Sequence, residues 1–353
     1  KKEIRKNMKK HKKVIFETLF FIGIFLLTLY SVFFGEDLGA IADGLGRCNK
    51  AWLSPAILCV VIFICGEAVI IWHLMKTYGI KTPMKYCILF SSVGFFFSCV
   101  TPSASGGQPM QVYFMKRKNI PIPVASVVLM VVTIAYKMVL VITGLLLLIF
   151  GHGFIVSYLG EAMWIFYLGI FLNVGFIVLL LFVMLHQTFA LRLTVGFNKF
   201  LEKLRVIKKK PDMVKKVIKS MRQYRESAAF MKTHLGLMVN VFIITIIQRY
   251  AMFAVTYFVY KAFALSGTPW YRIILLQAVV AICVDMLPLP GGMGISESLF
   301  KIMFENIFGA ALLLPGLILS RGIGYYVELI FSALLTVVAF LVLKDKSGGA
   351  GIE

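Results

Sequence analysis

The chain has 353 residues, 60% of them hydrophobic and 15% charged, with a formal net charge of +21. A soluble domain is normally under half apolar, so the solvent for most of this chain is lipid and a single soluble globular domain is excluded. No zinc spacing, aromatic-interleaved strand or helix-turn-helix pattern accompanies the lysines and arginines, so nucleic acid is not an expected partner.

The positive charge falls in two blocks, Lys1 to Lys13 and Arg192 to Lys232. Lys/Arg bias beside spans marks the cytoplasmic side, so both blocks are placed inside. Residues 1–13 read as a basic cytoplasmic tail and 14–346 as one transmembrane domain. The apolar run from Val14 to Phe34 is longer than a signal-peptide core and no A-x-A site follows, so it is expected to be a permanent span. Spans of about 20 apolar residues are then expected near 14–34, 54–74, 122–150, 162–186, 236–260 and 322–343. The stretch 187–235 is basic and amphipathic, with Leu201, Leu204, Ile207, Val214, Val217, Ile218 and Met221 at helical spacing, and reads as a cytoplasmic loop lying on the inner leaflet. The closing residues 347–353, SGGAGIE, read as a cloning remnant.

Two apolar stretches break the pattern. Tyr86 to Val100 runs into TPSASGGQP and resumes at Met110 to Met115, with basic residues on both flanks. Ile273 to Leu287 runs into PLPGGMG and resumes at Ile295 to Phe308. Each half is too short to span, so each region, about 86–116 and 273–308, is expected to be a re-entrant hairpin broken at Gly and Pro. The charge pattern has the first enter from the cytoplasm and the second from outside. Aligning Gly106 and Gly107 on Gly291 and Gly292 also pairs Phe114 with Leu299 and Lys116 with Lys301, at a spacing of 185 residues. The expected fold is therefore an all-α polytopic membrane protein with about six full spans, two broken hairpins and an inverted repeat. The span count places both termini in the cytoplasm.

Unpaired backbone polar groups cost several kcal/mol each in hydrocarbon, so breaks at membrane depth persist where protein or a polar cavity satisfies them. In each hairpin the second half-helix should begin just after the Gly-Gly pair, turning free N–H groups and a positive dipole end toward the break, a cradle for an anion such as phosphate. The expected headgroup-binding residues are Ser103, Ser105, Gly106, Gly107 and Gln108 in the first hairpin and Gly291, Gly292 and Ser296 in the second, with Ser298 nearby. Lys137 and Arg249, inside spans, are the natural counter-charges for a phosphate. Glu67, Asp285, Glu297 and Glu328 are expected to form ion pairs with them or to take a proton, and Arg321 to snorkel to the outer interface. The six cysteines and five histidines have no metal-ligand spacing, and no P-loop, dinucleotide or G-x-S-x-G fingerprint occurs, so no metal and no cofactor are expected.

The basic N-terminus, the segment TPSASGGQPMQVYFMKRKNIP at 101–121 and PLPGGMGISESLF at 288–300 resemble the membrane region of bacterial lysylphosphatidylglycerol synthases and of flippase-like proteins built on that region alone. The positions that carry the resemblance are Pro102, Gly106, Gly107, Gln108 and Pro109, then Pro288, Pro290, Gly291, Gly292, Gly294 and Glu297. It implies an all-helical, lipid-handling module in a bacterial cell membrane, associated with moving aminoacylated phosphatidylglycerol to the outer leaflet. The synthases carry a soluble transferase domain after this region, and this sequence ends soon after its last expected span, so the lysyl transfer is not an expected activity of this chain. The reading is a flippase-like translocase of an anionic or aminoacylated phospholipid or related lipid-phosphate. The alternatives are a lipid-modifying protein with Glu297 or Asp285 as base, and a membrane partner of a separate synthase. Expected partners are membrane lipids, such a synthase, and a second copy in a homo-oligomer.

Overall fold

The computed structural model describes residues 45–101, 104–185, 226–230, 234–287 and 294–343, together with 39, 43, 289 and 292. The expected first span at 14–34, the basic tail, nearly all of the basic loop, Pro102, Ser103, Pro288, Pro290, Gly291 and residues 347–353 lie outside the described residues. The described elements are helical. In chain order they are α1 (Leu53–Thr77), α2 (Met84–Val100), α3 (Gly107–Arg117), α4 (Ile122–Phe150), α5 (His152–Leu159), α6 (Met163–Leu185), α7 (Leu235–Ala262), α8 (Trp270–Val284), α9 (Ile295–Phe308), α10 (Ala310–Arg321) and α11 (Glu328–Val342).

Local chemistry sets the boundaries. Pro83, Pro121 and Pro269 stand at the N-caps of α2, α4 and α8 with φ near −60°. A proline there loses only an N–H that would have no helical partner. Lys76, Lys116, Arg117 and Lys261 fill the last turns of α1, α3 and α7, where the dipole favours cations. Gly309, at φ +71°, makes the reversal between α9 and α10 in a backbone region that favours glycine.

Among the described residues five segments are long and apolar enough to cross a membrane: Lys50–Thr77, Ile122–Phe150, His152–Met184, Gly236–Ala262 and Ala310–Val342. The chain is an all-α, multi-pass membrane protein. Two expected boundaries need correction. The fourth expected span reaches back to His152, because α5 joins α6 through the 3-10 turn Gly160–Ala162. The last span starts at Ala310, not near 322. Pro315 is accommodated inside α10, and a π-helical stretch, Gly322–Val327, carries the chain into α11 without a break. A π turn absorbs an extra residue in the helical ladder, so neither Pro315 nor the glycines end the helix.

α1 and α7 lie antiparallel along each other. Asn49 N donates to Ala262 O at 2.7 Å, Trp52 stacks on Phe258 at 6.3 Å, and Gln248 Nε2 donates to Phe63 O at 2.8 Å. The bundle thus has two ends. At the basic end, Tyr78 Oη donates to Ser227 O at 2.7 Å, and Lys118, after α3, lies over the ring of Tyr86, near the start of α2. At the opposite end, Phe308, closing α9, packs on Tyr260 and Phe263 at the end of α7, from which α8 departs after a short connection. The pair α2/α3 therefore enters and leaves at the basic end, and α8/α9 at the other. At a rise of about 1.5 Å per residue these half-helices are about 26, 16, 22 and 21 Å long, each short of about 30 Å of hydrocarbon. The order span, broken pair, span occurs twice in opposite senses, as expected for an inverted repeat.

Where these helices touch, small residues let the backbones close up. A Cβ on Gly107 would stand 2.1 Å from Ser98 Oγ and 2.7 Å from Gly94 O, and one on Gly169 would stand 2.3 Å from Ile282 O. The buried apolar side chains divide into two clusters. One holds Ile64, Leu140, Val255 and Phe304 toward the opposite end, and the other holds Ala68, Ala135, Phe114 and Val241 toward the basic end. The functional side chains lie in the seam between them.

A polar layer between the two broken hairpins

Glu67 is the fifteenth of 25 residues in α1, Lys137 the sixteenth of 29 in α4 and Arg249 the fifteenth of 28 in α7. Each sits at the middle of a full span, and Glu67 interrupts α1 between Ile64 of one apolar cluster and Ala68 of the other. Charged groups at such depth are costly and are kept where they face partners or a cavity.

The partners come from the hairpins. On α4, Gln108 Nε2 donates to Thr133 Oγ1, and one turn further Tyr136 Oη and Lys137 Nζ both donate to Asp285, at the end of α8. Both breaks thus meet α4 within a single turn at its midpoint. Lys137 is 5% exposed and also contacts Met286 Sδ at 2.9 Å. From the first hairpin, Gln111 Nε2 donates to Glu67 Oε1 at 2.6 Å. At the second, Glu297 Oε2 accepts from Gly294 N at 2.6 Å and Ser296 Oγ at 2.9 Å, and its Oε1 accepts from Arg321 Nε at 2.8 Å. Glu328, buried in the last span, accepts from Cys99 Sγ at 3.8 Å, and Tyr325 Oη donates to Cys99 O at 2.9 Å. The last span is thereby tied to the end of α2.

Arg249 differs from the other two cations of the layer. Lys137 has Asp285 and Arg321 has Glu297, but among the described residues Arg249 forms no ion pair within 4 Å, and its Nε is buried without an acceptor. The guanidinium is held by rings, with its Cζ 3.4 Å from the Tyr136 centroid and 4.7 Å from that of Phe63. Glu67 and Glu328 both lie within its electrostatic reach. A planar guanidinium fixed on its faces keeps its edge N–H groups free for a planar or tetrahedral oxyanion.

The layer joins Glu67, Gln108, Lys137, Arg249, Asp285, Ser296, Glu297 and Glu328 of the sequence-predicted set. Ser105 is exposed, and Ser103 and Gly291 lie outside the described residues. Three expectations change. α3 starts on the glycine pair itself, with Gly106 as N-cap, and Gly106 N already donates to Thr101 Oγ1 at 2.9 Å. The N-terminus of α9 follows Gly292 and Gly294, at φ +66° and +87°, and is capped by its own Glu297, so the anion there is the protein's carboxylate. Arg321 does not snorkel outward: its side chain is 22% exposed and turned to Glu297, because a short, capped carboxylate one helix away is nearer than the interface. Gln111, Tyr136, Thr133 and Cys99 were not read from the sequence. Gln111 stands one turn beyond Gly107 on the same helix, and Tyr136 is the neighbour of a buried lysine, so both carried a signal.

The family model for the lysylphosphatidylglycerol synthase TM region matches residues 15–332. The chain belongs to this family. Its match takes in both broken hairpins and every residue of the polar layer. The chain is also similar to a curated protein described as an uncharacterized protein MG306 homolog of Mycoplasma pneumoniae, 27% identical over 114 residues, which cover 31% of this chain and 29% of that protein's length.

Proposed function

We propose that this protein is a lipid translocase, in which the phosphate of an anionic or aminoacylated phospholipid passes the bilayer midplane at Arg249 while the acyl chains stay in lipid. The single observation that carries this reading is Arg249 itself. It is a mid-span guanidinium with no ion pair among the described residues, presented between two hairpins that are entered from opposite ends of the bundle. A site at mid-depth, flanked by discontinuous helices from both faces, suits alternate exposure to the two leaflets. The name of the family, which refers to lysylphosphatidylglycerol, supports a phosphatidylglycerol-based headgroup. The basic end is the cytoplasmic one, on the rule that Lys and Arg stay inside, and the membrane is the bacterial cell membrane. Gln108, through the second N–H of its amide, supplies a hydrogen bond to a headgroup oxygen, and Lys137 with Asp285 holds α4 to the second break.

The test is reconstitution into liposomes carrying tail-labelled phosphatidylglycerol, lysyl-phosphatidylglycerol or diacylglycerol, with leaflet exchange read by chemical quenching from outside. Exchange of the two phosphate lipids and not of diacylglycerol is the expected result. No acceleration of either phosphate lipid over protein-free liposomes refutes the proposal.

A further inference from the structure

The charge balance of the polar layer has a consequence for what moves with the lipid. Among the described residues its charged members are four carboxylates, Glu67, Asp285, Glu297 and Glu328, against three cations, Lys137, Arg249 and Arg321. Asp285 and Glu297 are each committed to a cation and to further donors. Glu67 and Glu328 have no cation within ion-pair distance among the described residues; they share the field of Arg249. Glu67 faces Gln111 from α3 and Arg249 from α7. Glu328 faces Cys99 from α2, Tyr136 from α4, Arg249 from α7, Arg321 from α10 and Tyr325 from the π turn, with Glu67 also within electrostatic reach. In a medium that penalises net charge heavily, the empty layer is neutral when one of these two acids holds a proton. An incoming phosphodiester adds one negative charge on Arg249, and neutrality then requires the second.

Resting on the translocase reading, we propose that Glu67 and Glu328 form a proton site that fills as Arg249 takes up the phosphate, so that one proton travels with each singly anionic headgroup. No covalent bond to the lipid changes. An O–H bond forms on the free carboxylate with a proton drawn from water when the headgroup enters, and breaks when it leaves, so the loaded layer crosses its cycle without net charge. A lipid that brings two ammonium groups of its own, such as lysyl-phosphatidylglycerol, enters with one excess positive charge, draws no proton and displaces the one the layer already holds.

The experiment uses the full chain in detergent, weakly buffered, with a pH-indicator dye, titrated with short-chain phosphatidylglycerol and in parallel with short-chain lysyl-phosphatidylglycerol. Uptake of about one proton per bound phosphatidylglycerol and release of about one with the lysyl lipid are expected. The Glu67→Gln/Glu328→Gln double variant is expected to bind phosphatidylglycerol without proton uptake. Binding by the wild type with no proton uptake overturns this inference and leaves the translocase reading standing. Uptake that persists undiminished in the double variant overturns the assignment to these two residues. Failure to bind either lipid removes the translocase reading and this inference with it. The wild-type stoichiometry needs no substitution, so an unstable variant does not protect the proposal.

Discussion

Replacing Asp285 by Asn leaves Lys137, 5% exposed, as a buried cation whose carboxylate partner has become a neutral amide. Breaking one side of a buried ion pair costs about 3–5 kcal/mol, much of it the desolvation of the charge left behind. Attraction between unit charges 4 Å apart is about 4 kcal/mol at an effective dielectric constant of 20, which agrees with that range. Lys137→Met leaves Asp285 with the Tyr136 hydroxyl alone, and a comparable loss is expected. The Lys137→Met/Asp285→Asn double variant strands neither charge, so its loss should fall well short of the sum, with a coupling energy of about 2–3 kcal/mol. The assay is reversible unfolding of the purified protein in mixed micelles with increasing SDS, all four proteins run together. Additive losses, with coupling below about 0.5 kcal/mol, or single variants as stable as wild type, refute the idea that this pair holds the second break against α4.

Three further outcomes are expected. Gly107→Ala and Gly169→Ala drive a methyl to 2.1 Å from Ser98 Oγ and 2.3 Å from Ile282 O, and should each lose about 1–3 kcal/mol in the same micelle unfolding. Gly175→Ala, within α6 with nothing inside 4 Å, should be neutral or gain up to about 1 kcal/mol; equal behaviour of all three contradicts the close helix contacts. In a cysteine-free background, Lys118→Cys should react with an impermeant maleimide from the cytoplasmic side and Gly267→Cys from outside; labelling of both from one side contradicts hairpins entered from opposite ends. Glu297→Gln should cost about 1–3 kcal/mol, because Gly294 N–H loses a charged acceptor and Arg321 its carboxylate; wild-type stability would show that the cap is not a working part of the second break.

Most of the described spans and both hairpins were legible because hydropathy length and Gly/Pro breaks are local signals. The run from Ala310 to Val342 was misread because Pro315 and the glycines of the π turn signal an end in any local rule, and only packing shows that the helix continues through them. The acids and bases of the layer were identifiable one by one, since an ionisable residue in a span is conspicuous. Their pairing was not, because Lys137 and Asp285 are 148 residues apart and nothing local distinguishes Asp285 from Glu328 as the partner. The same reasoning assigned Lys137 and Arg249 a common role, and the fold separates them: Lys137 is paired with Asp285, and Arg249 has no ion pair among the described residues. At the second break the helix end is occupied by the chain's own carboxylate, for a physical reason the sequence did contain. Glu297 stands three residues after Gly294, where a carboxylate reaches back to cap its own helix.

The most direct measurement of the central claim is leaflet exchange of labelled phosphatidylglycerol in liposomes containing Arg249→Gln, matched to wild type for amount inserted and for unfolding midpoint. A charged hydrogen-bond partner contributes about 1.5–3 kcal/mol, so exchange should slow by about 10- to 150-fold at subsaturating lipid. Exchange at the wild-type rate by a folded Arg249→Gln protein would contradict the account.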